Sequence, residues 1–158
     1  MMTHKGKVKV GDKVPFFTSF DQDGGLFSSE TIIGKKCILF FYGQDDSPTC
    51  TKEVCNIRDS YQIFVDHGYH IYGISRDNDK KHRKFIQKYQ LPYPLIADTE
   101  LNIQNAFGYF GPKIFMGKEV NGIYRTTVVT NEDGVITHII DNVVSGDHSN
   151  QLIKALGL

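Results

Sequence analysis

Hydrophobic residues occur along this chain in two patterns, short continuous runs and segments with helical periodicity. Cys37 to Tyr42 is an uninterrupted apolar run, typical of a strand whose sheet is covered on both faces. From Thr49 to His67, apolar residues recur at helical spacing, and Gly68 follows as a C-terminal stop signal. The polar loop Gly43 to Pro48 separates the two segments. The pattern predicts a central strand, a short loop and a helix.

The rest of the pattern predicts strands and helices in alternation, with a hairpin at each end. Near the N-terminus, the turn Asp21 to Gly25 lies between the apolar stretches Pro15 to Phe20 and Leu26-Phe27, as in an edge hairpin. The turn Asn131 to Gly134 suits a second hairpin, between the last two predicted strands. The further predicted strands are Tyr69 to Ser75, Pro94 to Ala97, Ile123 to Thr130 and Val135 to Asp141, and the further predicted helices are Asp79 to Gln90, Leu101 to Phe107 and Asp147 to Leu156.

This order of elements is typical of an α/β domain with a mixed central sheet and helices on both faces. It matches a thioredoxin-like fold with an N-terminal β-hairpin extension. The 158 residues contain no internal repeat, low-complexity tract or linker. We therefore expect a single domain over residues 1–158.

The charge balance argues against some classes of partner. Lys plus Arg and Asp plus Glu both number 18, so nothing points to nucleic acid or to a membrane surface. Met1 to Val10 is polar and has no apolar region of the kind that signal peptides contain. Cys37 to Tyr42, the longest apolar run, is far too short to span a bilayer. We expect a cytoplasmic protein that binds neither nucleic acid nor membrane.

The cysteines are the main chemical signal, because three of them are too few for a disulfide framework. Cys50 falls in the first turn of its predicted helix, where unpaired N–H groups and the helix dipole favour a thiolate. The thiolate is the form of cysteine that attacks peroxide oxygen. The alternative is a buried structural thiol. An exposed polar loop before Cys50 and a second cysteine after it favour a nucleophile, whereas Cys37, inside an apolar strand, is interpreted as a core residue.

Cys55 follows Cys50 by five residues on the same predicted helix. Helical geometry places the two Cα atoms about 8.7 Å apart, with the side chains about 140° apart around the axis. A disulfide requires Cα atoms within about 7 Å, so it cannot form on the intact helix. We therefore predict that oxidation of Cys50 to sulfenic acid is followed by unwinding of the helix start, which lets Cys55 form the disulfide and expel water.

Other chemistry at these positions has less support. Zinc requires four ligands at compatible spacing, and the six histidines are scattered without such spacing, which also disfavours papain-like Cys–His catalysis. The Asp21 to Gly25 turn lacks the glycine offset and closing glutamate of a calcium loop. The basic run Lys80 to Lys84, which includes His82, is interpreted as a solvated helix face.

The segment Gly43 to Cys55 resembles the peroxidatic loop and helix of peroxiredoxins. Its Asp-Asp-Ser-Pro-Thr-Cys-Thr sequence, with a second cysteine five residues after the first, is similar to the peroxiredoxin Q (bacterioferritin comigratory protein) group. The resemblance extends over nearly the whole chain. It includes Asp21 to Gly24, Arg58-Asp59, Gly73 to Ser75, and Phe115 to Lys118 ahead of Gly122 to Arg125.

The resemblance implies an atypical two-cysteine peroxidase that reduces hydrogen peroxide or alkyl hydroperoxides. The Ser47 hydroxyl would hold the peroxide and hydrogen-bond the thiolate, and Arg125, on a neighbouring strand, would stabilise the thiolate and the leaving oxygen. A Cys50–Cys55 disulfide would form and be reduced by thioredoxin or a similar dithiol. The resemblance implies no metal, haem or flavin, and suggests a monomer.

One residue departs from the family pattern. Peroxiredoxins usually have proline at the position of Gly43, where its ring shields the cysteine and stiffens the loop, whereas glycine allows more backbone states. This gives the hypothesis that the site is looser and its catalysis slower. Two further functions remain open: a redox sensor with the same disulfide, and a thiol-disulfide oxidoreductase, although thioredoxin-type motifs place two residues between their cysteines.

Overall fold

The structure is a computed structural model that describes residues 6–158; residues 1–5, part of the predicted domain and of the stretch Met1 to Val10, lie outside the described residues. The strands are β1 (Thr18–Phe20), β2 (Leu26–Ser28), β3 (Lys36–Phe41), β4 (Tyr69–Ser75), β5 (Leu95–Ala97), β6 (Phe110–Phe115), β7 (Lys118–Ile123), β8 (Thr126–Thr130) and β9 (Ile136–Ile140). The helices are α1 (Pro48–Asp59), α2 (Tyr61–Asp66), α3 (Asp79–Tyr89), α4 (Asn102–Phe107) and α5 (His148–Leu156).

A five-stranded mixed sheet forms the centre of the fold, in the order β5-β4-β3-β8-β9. β3 lies between the parallel β4 and the antiparallel β8. Side chains of β3 alternate between two hydrophobic clusters: Leu39 and Phe41 belong to one, and Ile38 and Phe40 to the other. This confirms the prediction that the continuous apolar run is a central strand covered on both faces.

The two faces of the sheet are covered by different elements. Helices α1, α2, α3 and α5 cover one face, and α4 covers the other together with the N-terminal hairpin β1–β2. The buried side chains that fix these layers are Val54, Ile57, Phe64, Phe85 and Leu152 on the first face, and Phe17, Phe27, Ile103 and Phe107 on the second. The predicted α/β class, with helices on both faces and an N-terminal hairpin, is confirmed.

The prediction of one helix from Thr49 to His67 is wrong, because Ser60 interrupts it. The Ser60 backbone has φ −107° and ψ 8°, and its N–H donates to the carbonyls of Ile57 and Arg58. In an α-helix the acceptor would be the carbonyl four residues earlier, so the helical pattern ends here. The chain therefore turns at Ser60 and continues as the short helix α2. Cys50 and Cys55 both lie before this break, on α1.

The prediction of one strand from Ile123 to Thr130 is also wrong. Its first residue ends β7, which pairs with β6 in a separate two-stranded hairpin, and β8 begins only at Thr126. The hairpin turn consists of Met116 and Gly117, which have φ of 52° and 78°. Positive φ at both residues of a two-residue turn suits the twist of a hairpin, but methionine seldom adopts it, so the sequence signal was weak.

The Asp21 carboxylate accepts hydrogen bonds from the N–H groups of Asp23 and Gly25, so it stabilises its own turn between β1 and β2. Among residues 6–158, none of the helices has the length and apolar character needed to cross a membrane.

Candidate active site

Cys50 lies in the first turn of α1, as the sequence predicts. Ser47 is the N-cap: its hydroxyl accepts a hydrogen bond from the Cys50 N–H at 3.4 Å, and Pro48 follows it at the first helical position. The same hydroxyl donates to the carbonyl of Gln44 at 3.1 Å. Cys50 is only 5% exposed, and it packs with Val54 on the core side of the helix. The sulfur is therefore close to the helix N-terminus and largely shielded from bulk solvent.

The loop before Cys50 is fixed to the neighbouring elements through Asp45. Its carboxylate accepts a hydrogen bond from the Tyr42 hydroxyl at 2.5 Å and lies 2.7 Å from Nδ1 of His82 on α3. The Asp45 N–H donates to the Asp77 carboxylate at 2.8 Å. These contacts join the loop between β3 and α1 to helix α3 and to Asp77, which follows β4.

His82 is fully buried, which the sequence interpretation of a solvated basic run missed. Its Nε2 lies 2.9 Å from the carbonyl oxygen of Ile96, an atom that only accepts, so Nε2 carries a proton. Its Nδ1 lies 2.7 Å from the Asp45 carboxylate, and the Asp45 side chain is only 5% exposed. The sequence signal for the burial of His82 is helical spacing: Phe85 lies three residues later, on the same side of α3, and is also buried.

Asp46, the next residue of the loop, is held by the end of α3. Its carboxylate accepts hydrogen bonds from Lys88 at 2.7 Å and from the Tyr89 hydroxyl at 2.9 Å, and these lower the Asp46 pKa. Its backbone has φ 61°, which is uncommon for a residue other than glycine. At Asp46 the loop between β3 and α1 is therefore held to α3 and changes direction toward Ser47.

Arg125 lies at the junction between β7 and β8, not within a strand as expected. Its guanidinium donates a hydrogen bond to the carboxylate of Glu53, which is fully buried on α1 three residues after Cys50. Burial raises the pKa of Glu53, and the positive charge of Arg125 opposes that shift. Sequence reasoning missed Glu53, because a single glutamate on a helix is usually solvated.

A cavity of about 470 Å³ brings together three of the four predicted site residues, all except Cys55. Cys50, Ser47 and Arg125 all line it, beside Gly43. Its other charged lining residues are the cations Lys113 and Arg76, and none of its described lining residues is acidic. Aromatic and aliphatic side chains of the β6–β7 hairpin form an apolar wall: Phe110, Phe115, Val120 and Ile123. The cavity thus combines a thiol, several cations and an apolar surface.

The other two cysteines differ in surroundings. Cys55 is partly buried on α1. It and Cys50 are free thiols on one continuous helix, a geometry that keeps their Cα atoms too far apart for a disulfide. Burial raises the pKa of Cys55, and the charge of Arg58 opposes this. Cys37 is fully buried in β3, and burial raises its pKa to about 11. Its interpretation as a core residue agrees with this position.

The sequence matches those of peroxide-reducing proteins over nearly its whole length. Residues 10–139 match the AhpC/TSA family. The chain is 38% identical over 149 residues to a putative peroxiredoxin bcp of Coxiella burnetii, across 94% of this chain and 99% of the relative. It is 32% identical over 149 residues to peroxiredoxin Bcp of Escherichia coli K12, across 94% of this chain and 96% of the relative.

Solved structures give the same picture. The peroxidoxin BcpB of Mycobacterium tuberculosis superposes with a TM-score of 0.82 at 29% identity, covering 95% of this chain and 97% of that one. A bacterioferritin comigratory protein of Xanthomonas campestris, whose structure is described for its alkyl peroxide reduction activity, superposes with a TM-score of 0.83 at 25% identity, covering 92% and 98%. The thioredoxin-like fold expected from the order of elements is confirmed.

Proposed function

Because this chain belongs to the AhpC/TSA family and is a thiol-dependent peroxidase of the peroxiredoxin Q group, we propose that Cys50 is the residue that attacks the peroxide. One observation carries this assignment: Cys50 is the one cysteine among the described residues lining the cavity, and it does so at a helix N-terminus. Cys37 has no such position, since it is enclosed within the sheet.

Ser47 and Arg125 are the polar groups proposed to hold the peroxide beside Cys50. Both line the same cavity, and the buried Glu53 carboxylate accepts a hydrogen bond from the Arg125 guanidinium. In the peroxide-free protein the Ser47 hydroxyl bonds Gln44 and the Cys50 N–H, so it is already fixed within the loop. A guanidinium stabilises negative charge as it develops on the oxygens during attack.

The reaction proceeds in two steps on α1. The Cys50 thiolate attacks the terminal peroxide oxygen, the O–O bond breaks, and sulfur is oxidised to sulfenic acid while alkoxide or hydroxide leaves and takes up a proton to become the alcohol or water. The Cys55 thiol then attacks the sulfenic sulfur, which forms the disulfide and releases water. The continuous helix between the two cysteines means that the start of α1 unwinds before this second step.

The substrates proposed for this cavity are hydrogen peroxide and alkyl hydroperoxides. The polar end that holds Cys50 and Arg125 suits the peroxide oxygens, and the wall formed by Phe110 and Phe115 suits an alkyl group. Hydrogen peroxide, which has no alkyl group, requires only the polar end.

The reductant that returns the disulfide to two thiols is proposed to be thioredoxin or a similar dithiol protein. Such a dithiol attacks one sulfur of the disulfide through a mixed-disulfide intermediate. None of the described lining residues of the cavity is acidic, so carboxylates there would not repel a thiolate of the reductant as it approaches.

We further propose that the protein works as a monomer in the cytoplasm.

The experiment that tests this function is steady-state peroxide consumption with thioredoxin and its NADPH-linked reductase. Wild type and Cys37→Ser are expected to turn over, and Cys50→Ser is expected to be inactive. Cys55→Ser should be oxidised once without being recycled. A redox sensor would instead oxidise once in its wild-type form and turn over poorly, and loss of activity only through Cys37→Ser would contradict the assignment.

A further inference from the structure

Lys113 lies in the wall of the cavity that contains Cys50, on strand β6. Its side chain crosses to the paired strand, where Nζ donates a hydrogen bond to the carbonyl of Ile123 at 2.8 Å. Gly122 leaves room for this crossing, because a Cβ at that position would make a tight contact of 3.2 Å with Cε of Lys113. The backbone therefore fixes the ammonium at the cavity rather than leaving it in solvent.

The surroundings of Lys113 make its ammonium a better acid than that of an ordinary lysine. Burial lowers the pKa of Lys113, and the neighbouring positive charge of Arg125 lowers it further. A negative charge on Cys50 acts in the opposite direction, and both side chains line the same cavity. Arg76, at the same cavity, is the remaining charged group among the described lining residues.

The chemistry at Cys50 requires a proton for the departing oxygen. When the thiolate attacks an alkyl hydroperoxide, the group that leaves is an alkoxide, and for hydrogen peroxide it is hydroxide. Both are strong bases and poor leaving groups, so donation of a proton as the O–O bond breaks accelerates the step. The other two cations among the described lining residues, Arg76 and Arg125, are poor proton donors, since arginine does not lose its proton in proteins.

We propose that Lys113 is the general acid that protonates the leaving oxygen of the peroxide. In this step the Cys50 sulfur forms a bond to the terminal oxygen and the O–O bond breaks. The Lys113 ammonium gives its proton to the alkoxide, which leaves as the alcohol, and the neutral amine then regains a proton from water. The proposal rests on the function assigned to Cys50 above, and it adds a catalytic residue to Ser47 and Arg125.

The test compares two oxidants that differ in leaving group, using the rate of Cys50 oxidation in the full chain. With tert-butyl hydroperoxide the leaving alkoxide requires a proton, whereas with peracetic acid the leaving group is acetate, which does not. Lys113→Met is expected to slow the first reaction by about 100-fold or more and the second by no more than about threefold. Equal slowing with both oxidants would overturn the proposal, because it would indicate a displaced hairpin or a weaker nucleophile.

Two further variants sharpen the result. Lys113→Arg keeps the positive charge but not the acidity, so it should show the same selective loss; full recovery by arginine would overturn the proposal in favour of a purely electrostatic role. Lys118→Met, on the exposed part of the same hairpin, is the matched control and should react at the wild-type rate with both oxidants. Failure of the Cys50 assignment is separately visible, because mass spectrometry of wild type after one equivalent of tert-butyl hydroperoxide would then find the first oxidation on a cysteine other than Cys50.

Discussion

The Arg125 guanidinium donates a hydrogen bond to the carboxylate of Glu53, which lies on α1 three residues after Cys50. Glu53 is fully buried and the Arg125 side chain is 25% exposed, so the carboxylate has its charge partner on the side that faces the cavity. Arg125 also follows directly on the hairpin that carries Lys113. The pair therefore fixes α1, the helix that carries Cys50, relative to the elements that carry the cations of the cavity.

Glu53→Gln is expected to slow oxidation of Cys50 by about tenfold, equivalent to about 1.4 kcal/mol in the barrier. The amide oxygen still accepts a hydrogen bond, but the charge that orients the guanidinium is lost. Stopped-flow kinetics with hydrogen peroxide measures the effect. Glu100→Gln, an exposed glutamate outside the cavity, is the control and should react as wild type does. An unchanged rate in Glu53→Gln would show that Arg125 does not depend on this partner.

His82→Leu is expected to destabilise the protein and to loosen the loop before Cys50. The change leaves the buried Asp45 carboxylate without its imidazole donor, and breaking a buried pair costs about 3–5 kcal/mol. Denaturant unfolding measures the loss of stability. His70→Leu, at an exposed histidine, provides the comparison and should change stability little.

His82→Leu should also change the rates of peroxide oxidation and of disulfide formation in opposite directions. A loosened loop holds Cys50 less firmly in the helix start, so peroxide oxidation should slow while disulfide formation becomes faster. Rapid-quench alkylation followed by mass spectrometry resolves the two rates. If both rates fell together, the anchoring of Asp45 would have only a general structural role.

Disulfide formation should become faster as the pH rises. Burial raises the pKa of Cys55 above that of an ordinary cysteine, so at neutral pH Cys55 is mainly the thiol, and the attacking thiolate increases with pH. The rate is followed from the sulfenic acid to the disulfide after one equivalent of peroxide. A rate that falls with pH would contradict the assignment of Cys55 as the attacking thiol.

Gly43→Pro is expected to increase the rate of reaction with peroxide. A Cβ at Gly43 would lie 3.7 Å from the Cys50 sulfur and 3.7 Å from Ile123, which are ordinary contact distances, so the site has room for a Cβ at this position. Gly43→Ala fills the same space without restricting φ, and it therefore distinguishes shielding of the sulfur from stiffening of the loop. An unchanged or lower rate in Gly43→Pro would argue against the hypothesis that glycine loosens the site.

The elements around Cys50 could be predicted because local signals agree there. A continuous apolar run identifies β3, and the helical spacing of apolar residues after the polar loop identifies α1. The β6–β7 hairpin was missed because Met116 takes a positive φ in its turn, which sequence patterns do not indicate for methionine. This hairpin supplies the wall of the cavity and Lys113, so most of the surface facing the thiol was missed as well.

The burial of Glu53 and of His82 was not predicted, because the partner of each is distant along the chain. Glu53 and His82 are charged or polar residues on helices, where the ordinary interpretation is exposure to solvent. Both are buried because a partner from another segment, Arg125 or Asp45, satisfies them. A single sequence contains no signal for such long-range pairing, whereas the family resemblance did identify Arg125.

The measurement that tests the assignment of Cys50 most directly is chemical trapping of the sulfenic acid. Cys55→Ser protein, folded and fully reduced, is treated with one equivalent of hydrogen peroxide in the presence of dimedone, and the labelled residue is identified by mass spectrometry. The proposal predicts dimedone on Cys50 alone, with Cys37 unmodified inside β3. Labelling of Cys37, or no labelling while peroxide is still consumed, would contradict it.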